Sequence, residues 1–335
     1  MADRIRWGIV GTGGIAAAFA EDLRLLPDAE VVAVGSRTRE GADAFADRFG
    51  IPHRHVGNAE LAADAEVDAV YVAGPHPAHC EAALAAIEGG KAVLVEKPFT
   101  LNAAEAERMI TAARKANTFL MEAMWVRFLP HLTYVRELLA EGRIGEIRSV
   151  VADRGELLST DPKHRIRNPE LGGGALLDLG IYPVSFASMA TGGLMPERVE
   201  AVARMTEDTG VDAHASMLFV YPGGAHGVIT TSLDARSANI ASINGTEGKI
   251  VIPQPWGRIS PVEVIANDGT SHITTLPHEG HGLRHQAAEV GRRLRAGETE
   301  SPVVPLDETL NVMRTLDLVR ERIGLVYPGE QGKAA

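Results

Sequence analysis

The sequence predicts an α/β protein: a doubly wound parallel sheet, followed by an α+β domain with a large, mainly antiparallel open sheet. Three observations lead to this prediction. A glycine turn directly follows the first apolar run, strand and helix periods alternate over about the first 120 residues, and consecutive strands dominate from near residue 145. Parallel strands with crossover helices, and strands joined by tight turns, are typical of these two architectures.

The glycine turn follows an apolar run over residues 5–10 and precedes an Ala-rich helical segment over 15–26. Gly11 allows a sharp turn, Gly13 lets a pyrophosphate lie against the backbone, and Ala16 lets the helix pack on the strand. The helix N-terminus offers N–H groups and partial positive charge to phosphates. The pattern therefore predicts a nucleotide-binding turn formed by Gly11, Thr12, Gly13, Gly14 and Ile15.

The other elements of the first half keep the same alternation. Strands are predicted over residues 30–35, 67–73 and 92–96, and helices over 40–49, 76–87 and 102–116. Gly50 ends the first of these helices, and Asn102 with Glu105 forms a capping box that opens the last. Asn58 is predicted to cap a short helix.

In the second half, strands are predicted over 147–152, 198–203, 214–220, 227–233, 240–244 and 249–253, with hairpin turns at 221–224 and 244–248. Helices are predicted over 175–189, 283–294 and 306–322. One face of the sheet would be open. The alternating Ala, Met and Phe within 214–220 suggest that this face forms a subunit interface, so we expect a homo-oligomer, either a dimer or a tetramer.

These elements divide the chain into a nucleotide-binding domain over 1–122, a substrate-binding and oligomerisation domain over 123–328, and a disordered tail over 329–335. Of its 335 residues, 45% are hydrophobic and 23% are charged, which suits two domains with sizeable cores. The net charge of −11 disfavours nucleic-acid binding and a basic membrane patch. A single cysteine, Cys80, excludes an internal disulfide and fits a reducing compartment, so we expect a cytoplasmic protein.

The end of the second strand indicates which dinucleotide is bound. An acidic residue there would bind the ribose 2′-hydroxyl of NAD, but the chain has Ser36, Arg37 and Arg39, with no carboxylate before Glu40. Arginine makes bidentate bonds to phosphate oxygens, so this segment favours the 2′-phosphate of NADP over NAD. The alternative is a solvated basic turn before a helix.

Two further segments carry residues suited to redox chemistry. Glu96 and Lys97 follow a buried strand, where a lysine could face the nicotinamide ribose and the reacting carbon; the alternative is a surface lysine in a turn fixed by Pro98. Asp178 and Tyr182 share one helical face at spacing i, i+4. An unperturbed phenol has a pKa of about 10, so a base of this kind needs a neighbouring ammonium such as that of Lys97. Alternatively, Tyr182 is a buried aromatic bonded to Asp178.

His76, His79 and Cys80 could suggest zinc, but the set is compact and sits where a strand leads into a helix. We therefore predict no metal, and instead place the two histidines near the cofactor, or in capping or surface roles. No paired base accompanies Cys80, so a nucleophilic role is unsupported.

Taken in order, these elements resemble the glucose–fructose oxidoreductase/inositol dehydrogenase (Gfo/Idh/MocA) family, with an N-terminal Rossmann domain. The resemblance covers nearly the whole chain. It rests on the glycine turn, Gly35-Ser36-Arg37, Glu96-Lys97-Pro98, the segment 172–180 that begins Gly-Gly-Gly, and 244–248 (Asn-Gly-Thr-Glu-Gly). Residues 121–130 and 178–183 are more similar to the subgroup of dimeric dihydrodiol dehydrogenases and NADP-dependent D-xylose dehydrogenases.

The resemblance implies roles for individual residues. Lys97 would touch the substrate and the nicotinamide ribose, Tyr182 would be the acid/base, and Asp178 would orient the substrate or the tyrosine. Arg37 would bind the 2′-phosphate. Trp125 and Trp256 would wall the substrate pocket, and the remaining residues implied at the cofactor are His76, His79, Glu96, Trp125 and Arg127. The subgroup often has a second basic residue four positions after the arginine, where this chain has Gly41.

We therefore expect an NADP(H)-dependent oxidoreductase acting on a secondary or anomeric hydroxyl of a sugar, cyclic polyol or cyclic diol. Lys97 and Tyr182 would converge on one redox carbon. Two alternatives stay open. One is a non-catalytic dinucleotide-sensing regulatory protein, and the other is an NAD-dependent glycoside-cleaving enzyme without net redox change.

Overall fold

The computed structural model describes residues 4–330, which form two compact units. The first extends to Phe128 and includes Glu279–Thr309; the second comprises Leu129–His278 and the chain from Leu310 onwards. The predicted boundary at 122–123 lies close to the break after Phe128. By contrast, 279–309, which the sequence assigned to the second domain, packs with the first unit.

The first unit contains a six-stranded sheet. Strands β1 to β6 span Ile5–Val10, Ala29–Ser36, His53–Val56, Ala69–Val72, Ala92–Glu96 and Leu120–Ala123. All neighbours pair in parallel, in the order β3-β2-β1-β4-β5-β6, which confirms the predicted doubly wound sheet. Helices α1 to α5 span Gly14–Leu23, Arg39–Phe49, Asn58–Ala62, His79–Glu88 and Ala103–Ala116. The strand order reverses at β1, where such sheets bind ligands at their carboxyl ends.

Three aromatic side chains hold the start of this unit together. Trp7 on β1, Phe19 on α1 and Tyr71 on β4 are fully buried. Phe19 stacks on Tyr71 with ring centroids 3.8 Å apart, and Trp7 meets Phe19 edge-on at 5.3 Å. Burial of each large apolar side chain contributes about 1.5–3 kcal/mol. The cluster therefore fixes α1 against the sheet and, with it, the turn between β1 and α1.

The second unit contains an eight-stranded sheet. Strands β7 to β14 span Ile147–Gly155, Arg198–Met205, Asp212–Val220, His226–Ser232, Ala241–Gly245, Gly248–Ile252, Val262–Ala266 and Ser271–Thr274. Their order is β14-β13-β12-β11-β7-β10-β9-β8. β7 and β10 pair in parallel, and the other neighbours pair antiparallel, which confirms the predicted, mainly antiparallel sheet.

Four more helices complete the fold. Helices α6 to α9 span Pro130–Ala140, Ile181–Ala190, Arg284–Arg295 and Leu306–Ile323. α7 packs on β7 and β10 in the second unit, and α8 packs on α1 in the first. Within residues 4–330, no helix combines the length and the apolar composition that crossing a bilayer requires.

The open face of the large sheet differs from the prediction. Along β9, Ala213, Ala215, Met217 and Phe219 are buried, so this alternating apolar set faces the core rather than the open side. Successive strand residues point to opposite faces. The open face instead carries four residues that are at least 41% exposed: Val151, Val202, Leu218 and Val228.

The C-terminal end is only partly covered by the described residues. Of the predicted disordered tail, 329–335, residues 331–335 lie outside them. Glu330 is ordered by two hydrogen bonds, one from the Arg320 guanidinium and one from the backbone N–H of Tyr327.

Candidate active site

The chemistry-bearing residues of the first unit follow the carboxyl ends of its parallel strands. The glycine turn follows β1, Ser36 ends β2, the loop with His76 follows β4, and Lys97 follows β5. Trp125 follows β6 in a short 3₁₀ turn. Because the carboxyl ends of parallel strands lie at one edge of a sheet, the fold brings these residues to a common edge.

The glycine turn leaves an open cradle at the N-terminus of α1. Gly11 has φ +110°, and a Cβ there would lie 2.7 Å from the carbonyl oxygen of Ala73, so only glycine fits. A Cβ at Gly13 or Gly14 would meet no atom within 4 Å, and no side chain caps the helix. The exposed members of the turn are Thr12, Gly13, Gly14 and Ile15. Uncapped N–H groups beside empty space fit the pyrophosphate of a dinucleotide.

At the end of β2, the three predicted phosphate-binding residues differ in what they contact. Arg37 is exposed, and no hydrogen bond or ion pair within residues 4–330 engages its guanidinium. Arg39 donates from Nη1 to the carbonyl oxygen of Arg54 at 2.9 Å. Ser36 is half-buried, and its hydroxyl lies next to Gly41. Arg37 is therefore the cation most available to a 2′-phosphate.

Gly41 stands where a second basic residue was expected, and local packing explains the glycine. A Cβ at this position would lie 2.7 Å from Oγ of Ser36 and 3.1 Å from Oγ1 of Thr38. Thr38 caps α2, because its Oγ1 accepts the N–H of Gly41 at 3.1 Å. A longer side chain would have to displace both hydroxyls.

Glu96 holds the end of β5 in place. Its carboxylate is 4% exposed and accepts hydrogen bonds from the Tyr71 hydroxyl at 2.5 Å and from the backbone N–H of Lys97 at 3.1 Å. Lys97 itself is half-buried and precedes a cis peptide bond to Pro98. The carboxylate thus orients the backbone from which Lys97 projects.

His79 connects two loops of this edge rather than facing a ligand. It is fully buried, with Nδ1 2.9 Å from the Pro98 carbonyl oxygen and Nε2 3.0 Å from that of Gly74. Burial lowers the pKa of its imidazole, and the charge of Lys97 adds to that effect. His76, which is 8% exposed, packs edge-on against it at 5.8 Å. These contacts let His79 hold the loops around Lys97, and its place beside the cofactor stays a prediction.

Trp125 and Arg127 were both implied at the cofactor, but they differ in exposure. Trp125 is half-buried and remains a candidate wall of the site. Arg127 is 4% exposed, and its guanidinium donates to the Glu308 carboxylate at 2.8 Å and to the Val303 carbonyl at 2.8 Å. This buried ion pair engages the guanidinium within the first unit, and the cofactor contact of Arg127 stays a prediction.

In the second unit, a buried carboxylate anchors the glycine-rich segment. Gly174 has φ +123°, and a Cβ there would collide with Oδ1 of Asp212. Oδ2 of Asp212 accepts the backbone N–H of Leu176 at 2.6 Å, and the Tyr327 hydroxyl donates to the Gly173 carbonyl at 2.7 Å. Burial raises the pKa of Asp212 to about 7, although the N–H of Leu176 and the charge of Arg320 oppose the shift.

The segment that follows is not one continuous α-helix. Residues Leu176–Gly180 form a π turn, and α7 begins only at Ile181. Hydrogen bonds in a π turn run from i to i+5, so the backbone between Asp178 and Tyr182 departs from regular α-helical geometry. Single π turns inside helices are frequent at functional sites.

Asp178 and Tyr182 each have an arginine neighbour that sequence reasoning missed. Asp178 is 6% exposed, and its Oδ1 accepts from the Arg165 guanidinium at 3.0 Å. Tyr182 is 7% exposed, and the Arg154 guanidinium carbon lies 4.9 Å from its ring centroid. Arg154 is on the buried face of β7, and its Nε has no hydrogen-bond partner among the described residues. No local pattern distinguishes these arginines from surface ones.

Trp256 is packed within the second unit. It is fully buried, and its indole N–H donates to the Asp153 carbonyl at 2.9 Å. Its ring packs against Phe186 with centroids 5.2 Å apart, and its carbonyl lies 2.9 Å from Nε2 of His131. These contacts give the indole a packing role in the second unit, and its contact with a substrate stays a prediction.

Cys80 fits neither a nucleophile nor a metal ligand. Its thiol is buried, and burial raises its pKa to about 11. Reactive cysteines have a lowered pKa. Both ring nitrogens of the neighbouring His79 face carbonyl oxygens, so the compact His76, His79, Cys80 set offers no common point for an ion.

Family comparison agrees with this architecture. The profile of the GFO/IDH/MocA oxidoreductase family with NAD-binding Rossmann fold matches residues 5–124, and the GFO/IDH/MocA C-terminal domain matches 132–251. The trans-1,2-dihydrobenzene-1,2-diol dehydrogenase of Mus musculus is 41% identical over 98% of this chain and 99% of its own length. The enzyme of the same name from Homo sapiens is 39% identical with the same coverage.

Solved structures with similar folds include a 3-ketoreductase and an aldose-aldose oxidoreductase. A 3-ketoreductase from Actinomadura kijaniata, in complex with NADP and TDP-benzene, has a TM-score of 0.84 and 29% identity, and covers 96% of this chain and 98% of its own. Lysine-to-alanine and tyrosine-to-phenylalanine variants of it have been crystallised. An aldose-aldose oxidoreductase from Caulobacter crescentus complexed with glycerol has a TM-score of 0.86 and 26% identity, and covers 95% and 97%.

The raised pKa of Asp212 predicts how stability depends on pH. Its folded pKa of about 7 lies above the reference value of 3.8, so the folded state binds a proton that the unfolded state releases between pH 4 and pH 7. The contribution of Asp212 to the free energy of unfolding is fully present below about pH 4. It is lost as the pH rises to about 7, and the loss amounts to at most about 4 kcal/mol. Asp212→Asn, which keeps an acceptor for Leu176, should flatten that decline in denaturant titrations across pH 4–8.

Asp268→Asn is the matched control, because Asp268 is exposed and the Thr270 N–H lowers rather than raises its carboxyl pKa. It should leave the decline above pH 4 unchanged. Identical pH profiles for wild type and Asp212→Asn would contradict the assignment.

Proposed function

Because the chain belongs to the GFO/IDH/MocA oxidoreductase family, we propose that it is an NADP(H)-dependent dehydrogenase acting on CH–OH groups. It moves a hydride between nicotinamide and a secondary or anomeric hydroxyl carbon of a sugar, cyclic polyol or cyclic diol. Relatives named for a cyclic diol and for aldoses support this substrate range. The observation that carries the proposal is the open cradle of Gly13 and Gly14 at the uncapped N-terminus of α1.

The choice of NADP rests on the end of β2. Arg37 has an unengaged guanidinium beside Ser36, and no carboxylate stands there to bind a ribose 2′-hydroxyl. A guanidinium binds phosphate oxygens through charge-assisted, often bidentate bonds. The NADP bound in the structure of the related 3-ketoreductase supports the same choice. Arg39 assists in a lesser role, because it already donates to the carbonyl of Arg54.

When bound, NADP⁺ would supply the hydride acceptor. The substrate carbon loses a hydride while its hydroxyl loses a proton, so the product is a carbonyl compound. We assign that proton to Tyr182, which passes it to solvent, and we assign to Lys97 the task of holding the substrate oxygen and the nicotinamide ribose. Asp178 and Trp125 orient the substrate, so the protein contributes positioning and proton transfer.

Arg154 supports the role of Tyr182. A guanidinium over an aromatic face contributes about 0.5–2 kcal/mol, depending on burial. With its centre 4.9 Å from the ring centroid, Arg154 fixes the orientation of the phenol from the sheet side. The ion pair between Asp178 and Arg165 holds the π turn that precedes α7.

We propose in addition that the chain works in the cytoplasm as a homodimer. The single, buried cysteine fits a reducing compartment. On the open sheet face, Leu218 is the register partner of Val228, and Val228 is that of Val151, so their exposed side chains form a contiguous apolar row. Such a row on a sheet face suits a self-complementary interface.

The test of the function is a substrate panel. Pyranoses, inositols and cyclic diols are offered with NADP⁺, and NADPH formation is followed at the nicotinamide absorbance. At least one member should turn over, and Tyr182→Phe should lower kcat for it by about 10²- to 10⁴-fold, because proton transfer of this kind contributes that much. Tyr134→Phe is the matched control and should keep wild-type turnover.

A double-variant cycle extends this test to Lys97. If Lys97 and Tyr182 serve one chemical step, Lys97→Met combined with Tyr182→Phe should cost less than the product of the single losses. Full turnover in Tyr182→Phe would remove Tyr182 from the mechanism. Consumption of substrate without net NADPH would instead indicate the glycoside-cleaving alternative.

Arg37 should discriminate between the two dinucleotides. Arg37→Ala should weaken NADP⁺ binding by roughly 1–3 kcal/mol, the contribution of a charge-assisted pair, and leave NAD⁺ binding nearly unchanged. Calorimetric titration of both cofactors measures this. Arg24→Ala removes the same charge at the C-terminal end of α1 and should change neither affinity. Equal losses for both cofactors in Arg37→Ala would exclude 2′-phosphate recognition by this residue.

Substitutions that place charged side chains on the open sheet face test the proposed dimer. Leu218→Asp together with Val228→Asp should convert a dimer into a folded monomer, measured by light scattering and circular dichroism, because each buried apolar side chain contributes about 1.5–3 kcal/mol. Leu25→Asp changes an apolar residue of the first unit that is 44% exposed, away from the large sheet, and should leave the mass unchanged. A double variant that remains dimeric would place the interface elsewhere.

A further inference from the structure

Two histidines on the edge strand of the smaller sheet face one carboxylate. Nδ1 of His53 lies 2.6 Å from Oδ2 of Asp64, and Nε2 of His55 lies 2.8 Å from the same oxygen. One ligand atom from each residue falls within 4.8 Å of the others. The three side chains therefore converge on one point, in a cluster separate from the residues assigned to hydride transfer.

The backbone holds this cluster in place. His53 and His55 are two residues apart on β3, so both side chains leave the same face of the strand. Asp64 lies after α3, where its Oδ1 accepts the N–H of Glu66 at 2.9 Å. Oδ2 is left for the histidines. Lys91 secures the same turn by donating to the backbone carbonyl of Asp64 at 2.6 Å.

We propose that His53, His55 and Asp64 form a binding site for a divalent transition-metal ion of the zinc class. Two imidazole nitrogens and one carboxylate oxygen are the donors that Zn²⁺ and Co²⁺ accept, with bonds of about 2.0–2.2 Å. Water would fill the remaining position. Binding requires a lone pair on Nδ1 of His53 and on Nε2 of His55, so in the metal-bound form the ring hydrogen of each histidine is on the opposite nitrogen.

Exposure fits entry of an ion from solvent. The side chain of His53 is 37% exposed and that of His55 is 20% exposed, whereas Asp64 is 7% exposed and supplies a shielded negative charge. The bond distances require Oδ2 to withdraw from its present contacts, which rotation of the Asp64 side chain allows. His55 on β3 pairs with Gly35 on the neighbouring strand β2. A bound ion would therefore stiffen the end of β2 next to Ser36 and Arg37 without touching the substrate.

The test uses the full chain without a histidine tag, freed of metal by a chelator and titrated with Co²⁺ and with Zn²⁺. Calorimetry should give one ion per chain, Co²⁺ should show visible absorption bands of a nitrogen- and oxygen-ligated site, and the thermal midpoint should rise with Zn²⁺. His53→Gln and His55→Gln should each weaken binding by at least the roughly 10- to 100-fold that loss of an outer-shell partner causes, because each removes a direct ligand.

His281→Gln is the control, because His281 also pairs with a carboxylate, that of Glu21 at 3.0 Å, outside the cluster. It should bind Co²⁺ as the wild type does. Wild-type affinity in both cluster variants, or no stoichiometric uptake by the wild type, would overturn the proposal and leave the cluster as a hydrogen-bonded His–Asp–His clamp. Circular dichroism establishes that each variant is folded, and the dehydrogenase assay is not needed for either outcome.

Discussion

The buried carboxylate of Asp212 is the contact on which the candidate catalytic segment depends. It begins β9, occupies the space that a side chain at Gly174 would need, and accepts the first free N–H of the π turn at Leu176. Asp178 lies in that π turn and Tyr182 in the first turn of α7. Asp212, at the start of a sheet strand, therefore determines where the segment carrying both residues begins. The arrangement is costly near neutrality, because burial raises the pKa of Asp212 to about 7 and Oδ1 lacks a partner among the described residues.

In the first unit, the motif residues divide into those that hold the backbone and those that are presented at the sheet edge. Glu96 is buried against Tyr71, and His79 joins the Gly74 and Pro98 carbonyls. Lys97 is the next residue after Glu96, and neighbouring residues leave an extended chain on opposite sides. The residue types in a motif do not show in which direction each side chain points or how deeply it is buried. The motif alone therefore cannot separate residues that hold the backbone from residues presented at the sheet edge. This is why His79 was expected at the cofactor and found between two loops.

The parts of the fold that were predictable from sequence are those with local causes. The turn at Gly11, the cap at Asn102 and the strand–helix alternation each depend on residues a few positions apart. The contacts that sequence reasoning missed are between residues far apart in the chain. Arg127 is neutralised by Glu308, 181 residues away, and the Trp256 indole is bonded 103 residues away. The strands β3 and β14, His-Arg-His-Val and Ser-His-Ile-Thr, are polar edge strands without an apolar pattern. The π turn begins where the distant Asp212 binds its backbone, which composition does not reveal.

Cofactor preference depends on how the residues around Gly41 pack, because the space they occupy is not available to a second cation. Gly41 keeps Ser36 and Thr38 in place and lets Thr38 cap α2, but it leaves Arg37 as the one unengaged cation at this turn among residues 4–330. One charge-assisted contact contributes roughly 1–3 kcal/mol, which corresponds to roughly a 5- to 150-fold preference for NADP over NAD. A second basic residue would raise that ratio further, but its Cβ would have to displace the hydroxyls at positions 36 and 38. We therefore expect a preference for NADP that is real and limited, because the glycine that allows the helix to begin here also removes the site of a second cation.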